Sequence, residues 1–209
     1  MTTDTELGSR LARGARAAAR AAGTPDALDV ARAERRGLVD IAYVRYDAPI
    51  GRLLLAATEH GLVRIAFGDE PDDDVLEHLA ATISPRIVAS ARRLDGARRT
   101  FDRYFAGRGD LDALAVDLQL ALGFDRTVLD TLRAQVPLGA TITYAGLADR
   151  AGSPRAARAV GNAMAKNPVP LVVPCHRVVP SAGGVGSYGG GPHIKAQLLA
   201  LEGAALQLA

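Results

Sequence analysis

The residues best suited to chemistry stand together in Pro174-Cys175-His176-Arg177, set between Leu171-Val172-Val173 and Val178-Val179-Pro180. Cys175 is the single cysteine of the chain. A thiolate, not a thiol, is the nucleophile, and a neighbouring cation or imidazole lowers the pKa that yields it. Cys175 beside His176 and Arg177 therefore reads as a positioned thiolate. The plain alternative is a small buried hydrophobe, as most free cysteines are. The β-branched surroundings suggest a strand, where adjacent side chains point to opposite faces. His176 then reaches the thiol only if the backbone turns, and a bridging water is the natural proton relay. A carboxylate behind the imidazole would stabilise its charged form. Glu202, near the end of the last helical stretch, is the candidate, against the reading of an exposed helix-end acid.

The flanking segments would position this set. Asn167-Pro168-Val169-Pro170 leads into the cysteine strand, and its two prolines stiffen the approach. Asn167 reads either as a left-handed helix cap or as a side chain that pins the strand. Upstream, Thr143 is a fitting N-cap for a short helix from Tyr144 to Arg150. Ala151-Gly152 breaks it, and Ser153 caps a second helix with Pro154 at its first position, running to about Lys166. Two short helices joined by a glycine-containing turn form a helix-turn-helix signature. The second helix is slim through Ala156 and Ala157, and Arg155 and Arg158 would share a face. Such a helix can approach a nucleic-acid groove, with arginines on phosphate or inserted toward bases. Solvated arginines on a surface helix are the plain alternative. A helix over 124–136 precedes this pair. A glycine-rich loop over Ser181–Gly191, read as flexible, and a final helix over 192–201 follow the cysteine.

The first half reads differently. Alternating and apolar runs at Val39–Val44, Arg52–Ala57 and Leu62–Phe67, punctuated by Pro49-Ile50-Gly51 and His60-Gly61, predict a three-stranded antiparallel meander. Asp72, Asp73 and Asp74 open a helix that ends before Pro85, and Leu94–Phe105 predicts another with Phe101, Tyr104 and Phe105 as its buried stripe. The expected fold class is α/β, of the α+β kind. Its first part is a three-stranded antiparallel sheet with helices, and its second is mainly helical with the helix-turn-helix. The expected division is an Ala/Arg-rich extension over 1–37, with Arg10, Arg13, Arg16 and Arg20 at helical spacing, a domain over 38–118 and a domain over 119–209.

Composition sets outer bounds. With 209 residues, 48% hydrophobic and 23% charged, the chain can bury a substantial core. A net charge of +2 permits nucleic-acid binding without demonstrating it. One cysteine excludes an intrachain disulfide and a cysteine-rich zinc site, and fits a reducing cytoplasm. The histidines His60, His78, His176 and His193 lack metal-ligand spacing, so neither metal nor cofactor is expected. No stretch approaches the about 20 apolar residues of a membrane span.

Taken together, the motifs resemble the O6-alkylguanine-DNA alkyltransferases. The matching residues are Thr141-Ile142-Thr143-Tyr144, Ala156 to Gly161, Asn167 to Pro170, Pro174 to Val179 and Leu201-Glu202-Gly203. The resemblance covers about residues 122–203, and the first half looks like the family's less distinctive N-terminal domain. It implies DNA repair by irreversible, single-turnover transfer of an alkyl group from O6 of guanine to Cys175, with O4-alkylthymine as a further substrate to consider. His176 matches the base acting through water, Glu202 the acid that holds it, and Asn167 the hinge. Tyr144 matches the tyrosine that helps rotate the nucleotide. Pro170, Val178, Tyr188 and Gly189 fall in the implied base pocket. Arg158 matches the arginine that fills the vacated place in the duplex, with Ser153, Arg155, Ala156 and Ala157 on the implied DNA face. Gly189 stands where many relatives carry serine, there is no tryptophan, and residues 1–37 have no evident counterpart. The implied partner is double-stranded DNA carrying alkylated bases, bound by a monomer, with cooperative binding left open and no membrane role. Two rival readings are a non-enzymatic lesion sensor or regulator using the helix-turn-helix and a Cys-His hydrolase. Cys175 argues against the first, and the adjacency of His176 argues against the second.

Overall fold

The computed structural model describes residues 27–204. The arginines at 10, 13, 16 and 20 lie outside the described residues. The chain divides into two units, Met1–Val39 and a second from Asp40 onward. In the first, helix α1 (Ala27–Arg35) carries Asp29 in its first turn and Arg32 and Arg35 in its last, each the sign the helix dipole favours.

The second unit begins with the meander: β1 (Ile41–Ala48), β2 (Gly51–Ala57) and β3 (Leu62–Phe67), paired antiparallel in sequence order. Period-two alternation divides β2 between two cores. Leu53 and Leu55 face the large core, while Leu54 and Ala56 face a smaller one formed with Val75 and Leu79 of α2 (Asp72–Thr82). The sheet exceeds the expected meander by one strand. β4 (Ile87–Ala89) joins the open edge of β1 in parallel, giving the order β3-β2-β1-β4. Three residues are too few for alternation to show, and the pairing depends on the α2 crossover. Helix α3 (Ala91–Phe105) starts before the expected Leu94 because the Ser90 side chain accepts from Arg93 N–H and caps it.

The free edge of β3 is covered by later parts of the chain. Leu62 and residues 115–117 exchange hydrogen bonds, and Ile65 N–H donates to the Pro168 carbonyl at 2.8 Å. Gly61 permits this approach, since a Cβ there would lie 2.4 Å from the Ala115 backbone. The large core runs without a break from Ala42 to Leu198 and includes the helices after residue 122.

Those helices are α4 (Gly123–Gln135), α5 (Tyr144–Arg150) and α6 (Ala157–Ala165). Thr143 caps α5 as expected, accepting from Gly146 N–H at 3.0 Å. Ser153 does not cap α6. Its N–H closes α5 by donating to the Ala148 carbonyl at 2.9 Å, with Gly152 at φ 75°. Residues 153–156 then form a separate turn, closed from Ala156 N–H to the Ser153 carbonyl, and α6 begins only at Ala157. Arg155 therefore lies outside the helix and does not share a helical face with Arg158. Strands β5 (Ile142–Thr143) and β6 (Val178–Val179) pair in parallel, setting the start of α5 beside the segment after the cysteine. Helix α7 (Pro192–Leu201) closes the fold.

Candidate active site

Cys175 is not in a strand. Cys175–Arg177 is a single 3-10 turn. Pro174 has no N–H to give a ladder, and Arg177 N–H instead donates back to the Pro174 carbonyl at 2.9 Å. The opposite-face geometry of an extended strand therefore does not apply to Cys175 and His176. The turn is presented by a tight loop held by Asn167. Its Nδ2 donates to the Val173 carbonyl at 2.8 Å, and its Oδ1 accepts from Val169 N–H at 3.1 Å. Asn167 is thus a pin as well as a post-helical residue. Between its two contacts, Leu171 adopts φ 75°, a left-handed conformation costing about 1 kcal/mol or more. The buried hydrogen bonds of Asn167 offset that cost.

His176 is fully buried and its Nε2 lies 2.9 Å from Glu202 Oε1. Glu202 is therefore no exposed helix-end acid. It sits at the C-terminus of α7 at 7% exposure. Arg177 closes on the same carboxylate with Nε to Oε2 at 2.8 Å and Nη2 to Oε1 at 2.9 Å, a bidentate pair. Its Nη1 donates to the Val136 carbonyl, fastening the end of α4 to the site. Tyr104 from α3 donates its hydroxyl to Glu202 Oε1 at 2.8 Å. The other ring nitrogen of His176, Nδ1, has no protein partner among the described residues.

Lys195 on α7 is also fully buried. Its ammonium donates to the Val178 carbonyl at 2.6 Å and to the Ser187 carbonyl at 3.4 Å, tying the glycine-rich loop to β6. Tyr188 on that loop packs edge-on against Phe67 at 5.5 Å and against His176 at 6.3 Å between ring centroids.

The electrostatics follow from burial opposed by specific partners. Burial pushes the Cys175 thiol above its ordinary pKa, although the Asn167 amide and the Lys195 charge pull it down. Burial therefore favours the neutral thiol at rest, against the thiolate that the neighbouring His176 and Arg177 suggest in sequence. Burial lowers the basicity of His176, and Arg177 and Lys195 act in the same direction against the support of Glu202. Burial would raise the Glu202 carboxyl, but hydrogen bonds from His176 and Arg177 outweigh it and hold the pKa at about 2. Burial, then the Cys175 charge, raises the Tyr144 phenol.

The other candidates divide between the site and the surface. Tyr144 is half-buried at the start of α5, Pro170 is buried in the Asn167 loop, and Val178 lies directly after the cysteine turn. Gly189 is exposed, and a Cβ there would meet only the Phe67 ring at 3.7 Å. Arg158 and Arg155 are exposed, Ser153, Ala156 and Ala157 are half-buried, and neither guanidinium is paired among the described residues. Three residues of the cluster have no site role assigned from the sequence: Arg177, which reads there only as a cation beside the thiol and here pairs with Glu202, Lys195 and Tyr104. Lys195 had a visible signal, as a lysine among the buried Ile194, Leu198 and Leu199. Tyr104 gave none beyond its place in an aromatic stripe. No group of three or more potential ligands able to hold a metal occurs among the described residues.

Comparison with known proteins gives this cluster a context. Residues 123–204 match the model described as 6-O-methylguanine DNA methyltransferase, DNA binding domain. Residues 29–118 match its ribonuclease-like domain. The chain belongs to the 6-O-methylguanine DNA methyltransferase family. The second match begins within 1–37, so part of that extension does have a family counterpart. The methylated-DNA–protein-cysteine methyltransferase of Mus musculus is 39% identical over 173 residues, covering 77% of this chain and 81% of its own. That of Mycolicibacterium paratuberculosis is 39% identical over 163 residues, covering 78% and 92%. A crystal structure of Mycobacterium tuberculosis OGT in complex with DNA has a TM-score of 0.67 and 34% identity, over 77% of this chain and 92% of that one. The mixed α/β architecture is thus that of the 6-O-methylguanine DNA methyltransferases.

Proposed function

We propose that this protein repairs alkylated duplex DNA by moving the alkyl group from O6 of guanine to Cys175 Sγ, once per molecule. The observation that carries the reading is the buried His176, held by Glu202 at one nitrogen and without a protein partner at the other, in the same turn as the only cysteine. The reaction starts from a neutral thiol and a neutral imidazole. As the base seats, His176 Nδ1 takes the thiol proton through a water, and Glu202 stabilises the imidazolium that forms. Sulfur attacks the alkyl carbon, the carbon–O6 bond breaks, and its electron pair leaves with O6. The guanine regains a proton to reach its ordinary lactam form. The product is a thioether, a poor leaving group, and no neighbouring side chain is suited to remove it. Lys195 favours the negative sulfur during attack.

Reaching O6 requires turning the nucleotide out of the stack, at a cost of a few kcal/mol. The slim start of α6, with exposed and unpaired Arg158, suits close approach to a groove and a wedge into the vacated place. Tyr144, half-buried at the start of α5 and within electrostatic reach of Cys175, is the residue suited to steady the rotated nucleotide. Phosphate contacts should carry most of the affinity, since repair must accept any sequence context. The expected assembly is one protein molecule on double-stranded DNA. No described helix is long and apolar enough to cross a membrane.

Incubation with duplex DNA containing O6-methylguanine should add one methyl to Cys175, read by intact mass and peptide mapping. Folded protein that gains no methyl, beside an active control, overturns the reading.

A further inference from the structure

Tyr104 makes a buried contact at the site that the alkyl-transfer steps do not use. Tyr104 is 2% exposed, sits on α3 and donates its hydroxyl to Glu202 Oε1 across 98 positions of sequence. A buried tyrosine hydroxyl needs a partner, and a backbone carbonyl would have sufficed. The partner here is an ionised carboxylate, and the contact falls on the oxygen that holds the base. Oε1 takes the Tyr104 hydroxyl at 2.8 Å, His176 Nε2 at 2.9 Å and Arg177 Nη2 at 2.9 Å, whereas Oε2 takes only Arg177 Nε. Three donors share one oxygen, so the charge of that oxygen is divided among them.

We infer that Tyr104 is a positioning residue for alkyl transfer: its hydroxyl fixes Glu202 Oε1 toward His176 and takes up part of the carboxylate charge that would otherwise act on the imidazole. The inference rests on the proposed function and adds a residue from the first half of the chain to its chemistry. The ring is held for this task by an edge-on contact with Phe105 at 5.1 Å. The ionisable groups facing the His176–Glu202 pair are Cys175 and Arg177 from the turn, Lys195 from α7, Tyr188 from the loop and Tyr104 from α3. Of these, only Tyr104 loses its polar group in a Tyr104→Phe variant. Without the hydroxyl, the carboxylate charge bears more fully on the ring, so the imidazolium is favoured and persists to higher pH. The neutral base that must accept the thiol proton is then lost at higher pH as well.

The test compares wild type with Tyr104→Phe by two measurements. One is the pH dependence of alkyl transfer from free O6-benzylguanine. The other is titration of the His176 ring followed by NMR, which needs no activity. Both the acid limb and the His176 midpoint should move up by about half to one pH unit. Site-specific replacement of Tyr104 by 3-fluorotyrosine, a stronger donor of nearly the same shape, should move both down. A His176 midpoint that stays put in the folded Phe variant overturns the inference, whatever happens to stability. Should that variant not fold, an unmoved or raised midpoint in the fluorotyrosine protein overturns it. Wild type that takes no methyl from methylated DNA defeats the proposed function instead, and the ring titration still decides whether Tyr104 tunes His176.

Discussion

At the acceptor turn, His176, Arg177, Lys195 and Glu202 are buried, whereas Arg155 and Arg158 beside the helix-turn-helix stand in solvent. The two regions use charge in opposite ways. In the buried cluster, each charge must meet a partner, because an unpaired ion away from water costs several kcal/mol. Arg177 and Glu202 meet that requirement mutually, which frees Glu202 to act on His176 without itself becoming protonated. On the exposed face, water solvates each guanidinium and salt screens it, so the arginines contribute little to folding and remain available to a polyanion. Under the proposed function, protonation is controlled inside and attachment outside.

The comparison is tested most severely by Glu202→Gln. It leaves Arg177 buried beside an uncharged amide, and should cost about 3–5 kcal/mol of stability in denaturant unfolding. Transfer should slow in the same variant, because the imidazolium loses its anion. A loss below about 1 kcal/mol would show that the cluster is not the paired, desolvated unit described.

Acid sensitivity offers an intermediate effect with a fixed sign. Glu202 is held at about 2, below its ordinary 4.5, and buried His176 is also held below its ordinary 6.5. In both cases the unfolded chain binds the proton more readily, so stability falls as pH falls. The His176 contribution begins to fade as pH drops through about 6.5, and that of Glu202 between about 4.5 and 2. Thermal melts across this range should show the loss in wild type, and Glu202→Gln should flatten its lower part. An acid profile unchanged by that substitution would separate Glu202 from the titration.

The smallest effect on the fold belongs to Arg158→Ala. Unfolding stability should stay within about 0.5 kcal/mol of wild type. Transfer from duplex DNA should fall far more than transfer from a free benzylated base, and the salt dependence of DNA binding should lose about one unit of slope. Equal losses on both substrates would remove the wedge role and blur the division between the two regions.

Much of the fold is legible in the sequence. The alternation at Val39–Val44 and the glycine punctuation gave the meander, and Thr143 gave the start of α5. Asn167 and Glu202 stand out beside Cys175 and His176 as candidates in the sequence. The misses share a cause: each depended on a bond to a distant segment or on competition between neighbouring elements. β4 is three residues long and exists because β1 offers it an edge. Ser153 has the chemistry of an N-cap, yet residues 153–156 close a turn of their own and the helix begins only at Ala157, beyond the reach of that side chain. The β-branched run around Cys175 suggests a strand, but Pro174 and the Asn167 pin turn it into a 3-10 helix.

Residue types and local spacing by themselves determined the meander, most of the helices and the candidates Cys175, His176, Asn167 and Glu202, because hydrophobic period, capping chemistry and a rare reactive residue are written along the chain, and the order of those motifs carried the resemblance to the family. Tertiary structure alone decided the protonation states. Whether Cys175 rests as a thiol, whether Glu202 stays ionised, and whether a tyrosine from the first half reaches that carboxylate all depend on desolvation and on three-dimensional neighbours. Those are properties of the packed interior, and no linear pattern encodes them.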